Sequence, residues 1–232
     1  MNRSIVLKAD FSISLKKRYF YRFLYIVVFL FSIVNKGMAQ HATYNLADLK
    51  SKGLFIMENR SMSPLTEKHA VRFSSADGSG VAWLKNVEFS NGTIEVDLRG
   101  KDIKQGSFLG IAFHGVSKDS CEAIYFRPFN FLSKDSLQQA HMVQYVFDPA
   151  FGWERLRNEH PGVYEKKLQS PPAPNDWFHV KIVVKGKIIK VYVNNSTESC
   201  LEVSSLNEKM SGKLGLWVGN SSAGDFANLV VN

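Results

Sequence analysis

From Leu54 onward, apolar and polar residues alternate with a period of two. In Thr93-Ile94-Glu95-Val96-Asp97-Leu98-Arg99, the residues Ile94, Val96 and Leu98 share one face and Glu95, Asp97 and Arg99 the other, as in a half-buried antiparallel strand. Similar runs occupy residues 70–74, 108–114, 122–127, 142–147, 177–184, 188–193, 214–218 and 226–231. Asn91-Gly92, Lys185-Gly186, Asn194-Asn195 and Ser211-Gly212 punctuate them as turns. Two stretches, 45–52 and 132–139, read as short helices. Many short strands without alternating helices predict an all-β protein, a two-sheet antiparallel β-sandwich of the jelly-roll kind. The clearest hairpin pairs 177–184 with 188–193 across Lys185-Gly186.

The first 39 residues break this pattern. The basic stretch Lys16-Lys17-Arg18-Tyr19-Phe20-Tyr21-Arg22 precedes an apolar run over residues 23–34 and the small-residue site Gly37-Met38-Ala39. That order predicts a secretory signal peptide over 1–39, cleaved before Gln40, and a single domain over 40–232. The run falls short of the roughly 20 residues of a spanning helix, and no Cys follows it for lipid attachment. No stable membrane anchor is expected after cleavage, and the expected location is secreted or periplasmic.

Setting the leader aside changes the charge. It holds seven of the 29 Lys and Arg and one of the 21 Asp and Glu, which leaves 22 against 20. A net charge of about +2 does not point to nucleic acid. Two cysteines, Cys121 and Cys200, are too few for a disulfide framework or a zinc site, and whether they pair is open.

Polar chemistry gathers in residues 141–165, HMVQYVFDPAFGWERLRNEHPGVYE, inside an insertion over 128–176 that holds six of the seven prolines. Proline stiffens such a segment, which suits holding side chains in place. Arg155 and Arg157 offer forked hydrogen bonds to carboxylate, phosphate, sulfate or vicinal hydroxyls, and Trp153 and Tyr164 offer flat faces for a pyranose ring. With Arg127, Asn130, Gln144 and Tyr145 they form the candidate ligand-binding set. In an extended segment Arg155 and Arg157 would point to the same side. The competing structural reading pairs them with Glu154, Glu159 and Glu165 and uses Trp153 to pin the loop. For catalysis, Glu122 at the start of its strand and His141 are the candidate acid and base of a glycoside hydrolase or lyase. His114 could face a cleft or be a capped core histidine, and His179 reads as a solvated outer-face residue. A phosphate loop, a nucleophile elbow and an HExxH motif are all missing, which argues against a serine hydrolase or zinc protease.

The runs Glu122-Ala123-Ile124-Tyr125-Phe126-Arg127-Pro128, His141 with Gln144-Tyr145, Trp153-Glu154-Arg155-Leu156-Arg157 and Pro161-Gly162-Val163-Tyr164-Glu165 carry a resemblance. With Asp176-Trp177, Val191-Tyr192-Val193-Asn194 and Gly215-Leu216-Trp217-Val218-Gly219, the chain over roughly 54–231 resembles exported bacterial domains of the concanavalin A-like lectin/glucanase superfamily. These lie near laminin G-like domains and the 3-keto-disaccharide hydrolase family. The resemblance implies a jelly roll whose concave face and loops recognise a saccharide, anionic if the arginines contact it. The keto-sugar pattern is matched only loosely, by Glu122 and Gln144. No calcium loop and no cofactor motif is present, so no metal or cofactor is expected. A glycoside-processing enzyme and a structural or adhesion domain contacting protein are the alternatives.

Overall fold

Alternation decides which face of each strand is buried. At 92–99 the residues Ile94, Val96 and Leu98 are fully buried, while Thr93, Glu95, Asp97 and Arg99 keep contact with solvent. The structure of the protein, a computed structural model, describes residues 42–232. The expected leader and its cleavage site lie outside them.

In chain order the first strands are β1 (Ala42–Tyr44), β2 (Phe55–Glu58), β3 (Met62–Pro64), β4 (Val71–Phe73) and β5 (Gly80–Phe89). The middle of the chain gives β6 (Gly92–Arg99), β7 (Leu109–Ser117), β8 (Ser120–Phe126), β9 (Val143–Asp148) and β10 (Glu165–Lys166). The last strands are β11 (Phe178–Lys185), β12 (Ile188–Val193), β13 (Leu201–Ser204), β14 (Gly212–Val218) and β15 (Gly224–Val231). Three short helices accompany them: α1 (Leu46–Ser51), α2 (Ser136–Gln139) and α3 (Trp153–Glu159).

Among the described residues these strands form two antiparallel sheets, a two-sheet all-β sandwich. One sheet runs β13-β12-β11-β6-β15-β4-β3, with β1 also pairing β15, and the other runs β10-β9-β8-β7-β14-β5-β2. The inner faces merge in one apolar core, to which the eight-stranded sheet brings Val180, Ile182 and Val191 and the seven-stranded sheet Ile111, Phe126 and Leu216. The hairpin β11–β12 turns where the sequence places it, with Gly186 at φ +56°. That left-handed conformation costs a glycine little and suits a two-residue hairpin turn.

The two sheets differ in what their outer faces show. On β6 and β11 the outer positions carry charges in contact with water. On β7, β8, β9 and β14 nearly every residue is buried, so both faces are covered. The inner face meets the core, while on the outer face Trp83 covers Gly115 and Gly215 and Phe129 packs on Phe108. These strands accordingly read as near-continuous apolar runs.

Two helical expectations change. Residues 45–52 do form a helix, with Asn45 as the N-cap accepting from the Asp48 N–H. The helix expected over 132–139 shrinks to Ser136–Gln139, because Asp135 caps it by accepting from the Leu137 N–H. The extended segment expected around Arg155 is instead α3, with only Leu156 buried. Cys121 and Cys200 are free thiols on different sheets or their edges, and burial pushes both up to about 12. Both are inert at neutral pH.

Candidate functional site

The register of three strands builds the floor of a cleft. Gly110 on β7 faces Tyr125 on β8 on one side and Trp217 on β14 on the other. A Cβ at position 110 would fall 1.9 Å from the Ile124 carbonyl oxygen, so the glycine is required by the close approach of the β8 backbone. With no side chain between them, the rings of Tyr125 and Trp217 meet at 4.9 Å between centroids, tilted by 31°. Phe108 and Phe129 continue this aromatic surface edge to face at 5.3 Å.

Above the floor opens a cleft of about 650 Å³, lined also by Lys104, Gln105, Arg127, Asn130, His141, Asp148, Trp153, Arg157 and Asn220. Its size and mixture of rings and polar groups are those of a small-molecule site. Strand β8 delivers Arg127 just past its end. The guanidinium lies over the Tyr125 ring at 4.9 Å and donates to the His141 carbonyl and the Tyr125 hydroxyl, both at 2.9 Å, and to Gln144 Oε1. Gln144 thus lies beneath Arg127 and orients it, while its own buried Nε2 has no acceptor. Asn130 Nδ2 reaches the same His141 carbonyl at 3.4 Å.

One wall is α3 with β10. Arg157 holds both oxygens of Glu165 through Nε and Nη2 at 2.9 and 2.8 Å, and its guanidinium lies over Trp153 at 4.9 Å. Burial by itself would raise the Glu165 pKa, but the hydrogen bonds and charge of Arg157, with the charges of His141 and Arg127, hold it below the usual carboxylate value. Glu165 raises the Arg157 pKa in return. His141 Nδ1 lies 2.7 Å from Glu165 Oε2, but obliquely, so the contact is ionic in distance without an aligned hydrogen bond. Burial lowers the His141 pKa more than Glu165 restores it. Asp148, in the cleft lining, is pushed upward by burial and by Asp119.

Of the residues selected from the sequence, Arg127, Asn130, His141, Trp153 and Arg157 line the cleft, with Gln144 directly below. Four are corrected. Glu122 is sealed between the sheets, where Oε2 lies 2.6 Å from His114 Nδ1 and Oε1 accepts from the Tyr145 hydroxyl at 2.7 Å. It is fully buried and does not line the cleft. Tyr145 faces the same core and accepts from the Leu206 N–H. Tyr164 is buried against Tyr145 at 5.5 Å between ring centroids. Arg155 points away from the cleft to Glu159 and the Ala150 carbonyl, since residues two apart on a helix diverge by about 200°.

His114 proves to be the core histidine, and His179 lies on the outer face of the eight-stranded sheet between Asp97 and Glu95. The sequence reading missed Tyr125, Trp217, Phe108, Phe129, Lys104, Gln105, Asp148 and Asn220. A signal existed: Gly110 and Ala112 leave room above the sheet, and Trp217 shares its outer phase with Gly215. Among the described residues no group of three His, Cys, Asp or Glu is placed to hold a metal ion, and no helix is long and apolar enough to cross a membrane.

No protein-family model matches the chain, and no curated protein sequence does. Solved structures do resemble it. The carbohydrate-binding module CBM66 from Bacillus subtilis superposes with a TM-score of 0.56 at 16% identity, over 77% of this chain and 96% of that one. A Bacillus subtilis protein of unknown function with a galectin-like fold gives 0.55 at 13% identity, over 82% and 94%. The exoplasmic/lumenal domain of VIP36, in its form bound to Ca2+ and Man3GlcNAc, gives 0.50 at 13% identity, over 77% and 83%. At these identities the likeness is one of fold: the chain is a two-sheet antiparallel β-sandwich like those of these structures.

Proposed function

We propose that the protein is an exported saccharide-binding domain whose ligand lies in the cleft on the outer face of the seven-stranded sheet. The observation that carries this reading is the meeting, in one cleft, of aromatic surface with planar polar groups. Tyr125, Trp217, Phe108 and Phe129 supply the apolar floor, and Trp153, 48% exposed, supplies an open ring at the wall. Arg127, Asn130, Gln105 and Asn220 supply hydrogen-bonding groups around it. Sugars present both an apolar ring face and a rim of hydroxyls, and this pairing answers both. The CBM66 module and the glycan-bound VIP36 domain share the fold and support the reading. The basic and apolar pattern of residues 1–39 supports export.

Binding is favoured over glycoside cleavage because the expected acid and base do not meet. Hydrolysis needs two carboxyl groups across the scissile bond. Asp148 is the one carboxylate among the described lining residues, while Glu165 is held by Arg157. A glycan array followed by calorimetry on the best ligand tests the proposal. Trp153→Ala should weaken that ligand by about tenfold, the loss of one stacked ring face worth ~1–2 kcal/mol, with little change in thermal midpoint. Undiminished affinity in this variant places the ligand elsewhere.

A further inference from the structure

We infer that the saccharide taken by this cleft is acidic, with a carboxylate or sulfate seated against Arg127; the inference rests on the saccharide reading above. Arg127 is only 6% exposed, yet it forms no ion pair. Its three hydrogen bonds end on uncharged oxygens, those of the His141 carbonyl, the Tyr125 hydroxyl and the Gln144 side chain. The Nε–H and one Nη1–H have no protein acceptor.

The other arginines near the two sheet faces are neutralised directly. Glu165 holds Arg157, Glu159 holds Arg155, and Asp225 holds both Arg72 and Arg99. Arg60 is also buried without an ion pair, but it ends on the carbonyls of Asn59, Gly78 and Gly219, feels the charge of Asp77, and does not line the cleft. Burial removes water from a charge, and proteins ordinarily return an opposite charge in its place.

Within the cleft no carboxylate is bonded to Arg127, although the charge of Glu165 reaches it. Glu165 is engaged by Arg157 and His141. Asp148, whose pKa burial and Asp119 push upward, forms no ion pair with Arg127. Lys104 adds a second cation at the lining. The cleft therefore offers a planar cation with no carboxylate bonded to it, beside an aromatic floor. An oxyanion on a sugar ring would complete both halves, because the guanidinium matches its oxygens while the ring covers the aromatic surface.

The test titrates hexuronate oligosaccharides and sulfated oligosaccharides into the protein by calorimetry, each beside its carboxyl-reduced or desulfated twin. An acidic member should bind at least about tenfold more tightly than its neutral twin, with the preference shrinking in high salt. The arm that shows the preference identifies the anion. In Arg127→Lys, which keeps the charge but loses the fork, most of the preference should vanish. Should that variant fail to fold, the twin comparison and salt series on the wild type decide alone. Neutral twins that bind as tightly as the acidic members overturn this inference and leave the saccharide reading standing. A preference that survives in folded Arg127→Lys overturns the assignment to Arg127. Binding by neither kind of oligosaccharide overturns both readings.

Discussion

Between the sheets, a chain of hydrogen bonds runs from the Leu206 N–H through the Tyr145 hydroxyl to Glu122, and on through His114 to the Ser90 carbonyl. The Ser90 carbonyl can only accept, so His114 Nε2 carries a proton. Glu122→Gln keeps an acceptor for the Tyr145 hydroxyl and a donor toward His114 Nδ1, but replaces a charged contact by a neutral one and leaves one buried amide N–H without a partner. The variant should lose about 1–3 kcal/mol of stability in chemical denaturation and keep its saccharide affinity. Lost affinity at unchanged stability would return Glu122 to the site. Arg155→Lys tests the opposite kind of residue. Its partner Glu159 is four positions away and both side chains are about half exposed, so stability should change by no more than ~0.5 kcal/mol and affinity by nothing measurable. A clear affinity loss would put Arg155 at the ligand. The sequence pattern does not show that these two residues lie off the cleft: Arg155 was read as extended where the chain is helical, and Glu122 lies on a strand buried on both faces. On β8 the residues Cys121, Ala123 and Tyr125 point outward while Glu122, Ile124 and Phe126 point inward. Both sets are buried, so no polarity difference along the strand says which parity faces the cleft.

Elements were legible where one face meets water. The hairpin β11–β12 and strand β6 were read nearly to the residue because charges alternate with Val and Ile. Helix α3 was not legible: seven residues bury only Leu156, and Gly152 at its N-cap gives no side-chain hydrogen bond. Only its propensity, from Glu, Arg and Leu, pointed to a helix, and propensity is a weak guide over two turns. The charged outer face of β6 and β11 carries a pH dependence. His179 pairs across the strands with Asp97 at 2.9 Å and reaches Glu95 at 3.1 Å, while Lys68 and Asn228 also bond Asp97. The hydrogen bond that His179 donates to Asp97 is the main cause that raises the His179 pKa, against the opposing effect of burial. A raised histidine stabilises the fold when protonated. Its contribution is fully present below the unfolded value of about 6.5 and is lost as pH rises through the folded one. The stability gap between the wild type and His179→Asn should therefore be larger at pH 6 than at pH 9. A gap that widens with pH would contradict the assignment.

At the scale of the whole molecule, the two-sheet architecture followed from the period of two and the short turns. What the sequence left unresolved was which sheet carries the site. The polar and aromatic density of residues 141–165 pointed to the region of the cleft and supplied its lining residues His141, Trp153 and Arg157. The floor of the cleft escaped notice because Tyr125 and Trp217 are 92 positions apart and meet only through the strand order β8-β7-β14. That order also gives the protein a built-in reporter, since its four tryptophans sample four environments. Trp153 and Trp217 line the cleft. Trp83 is buried elsewhere in the seven-stranded sheet, with its indole N–H on Glu58, and Trp177 donates to Glu67 beside Arg99 of the eight-stranded sheet. Titrating a saccharide ligand into nitrogen-15-labelled protein and following the four indole resonances tests the central claim most directly. The Trp153 and Trp217 indoles should shift and saturate together while those of Trp83 and Trp177 stay in place; a saturable shift at Trp177 with the cleft indoles unmoved would contradict it.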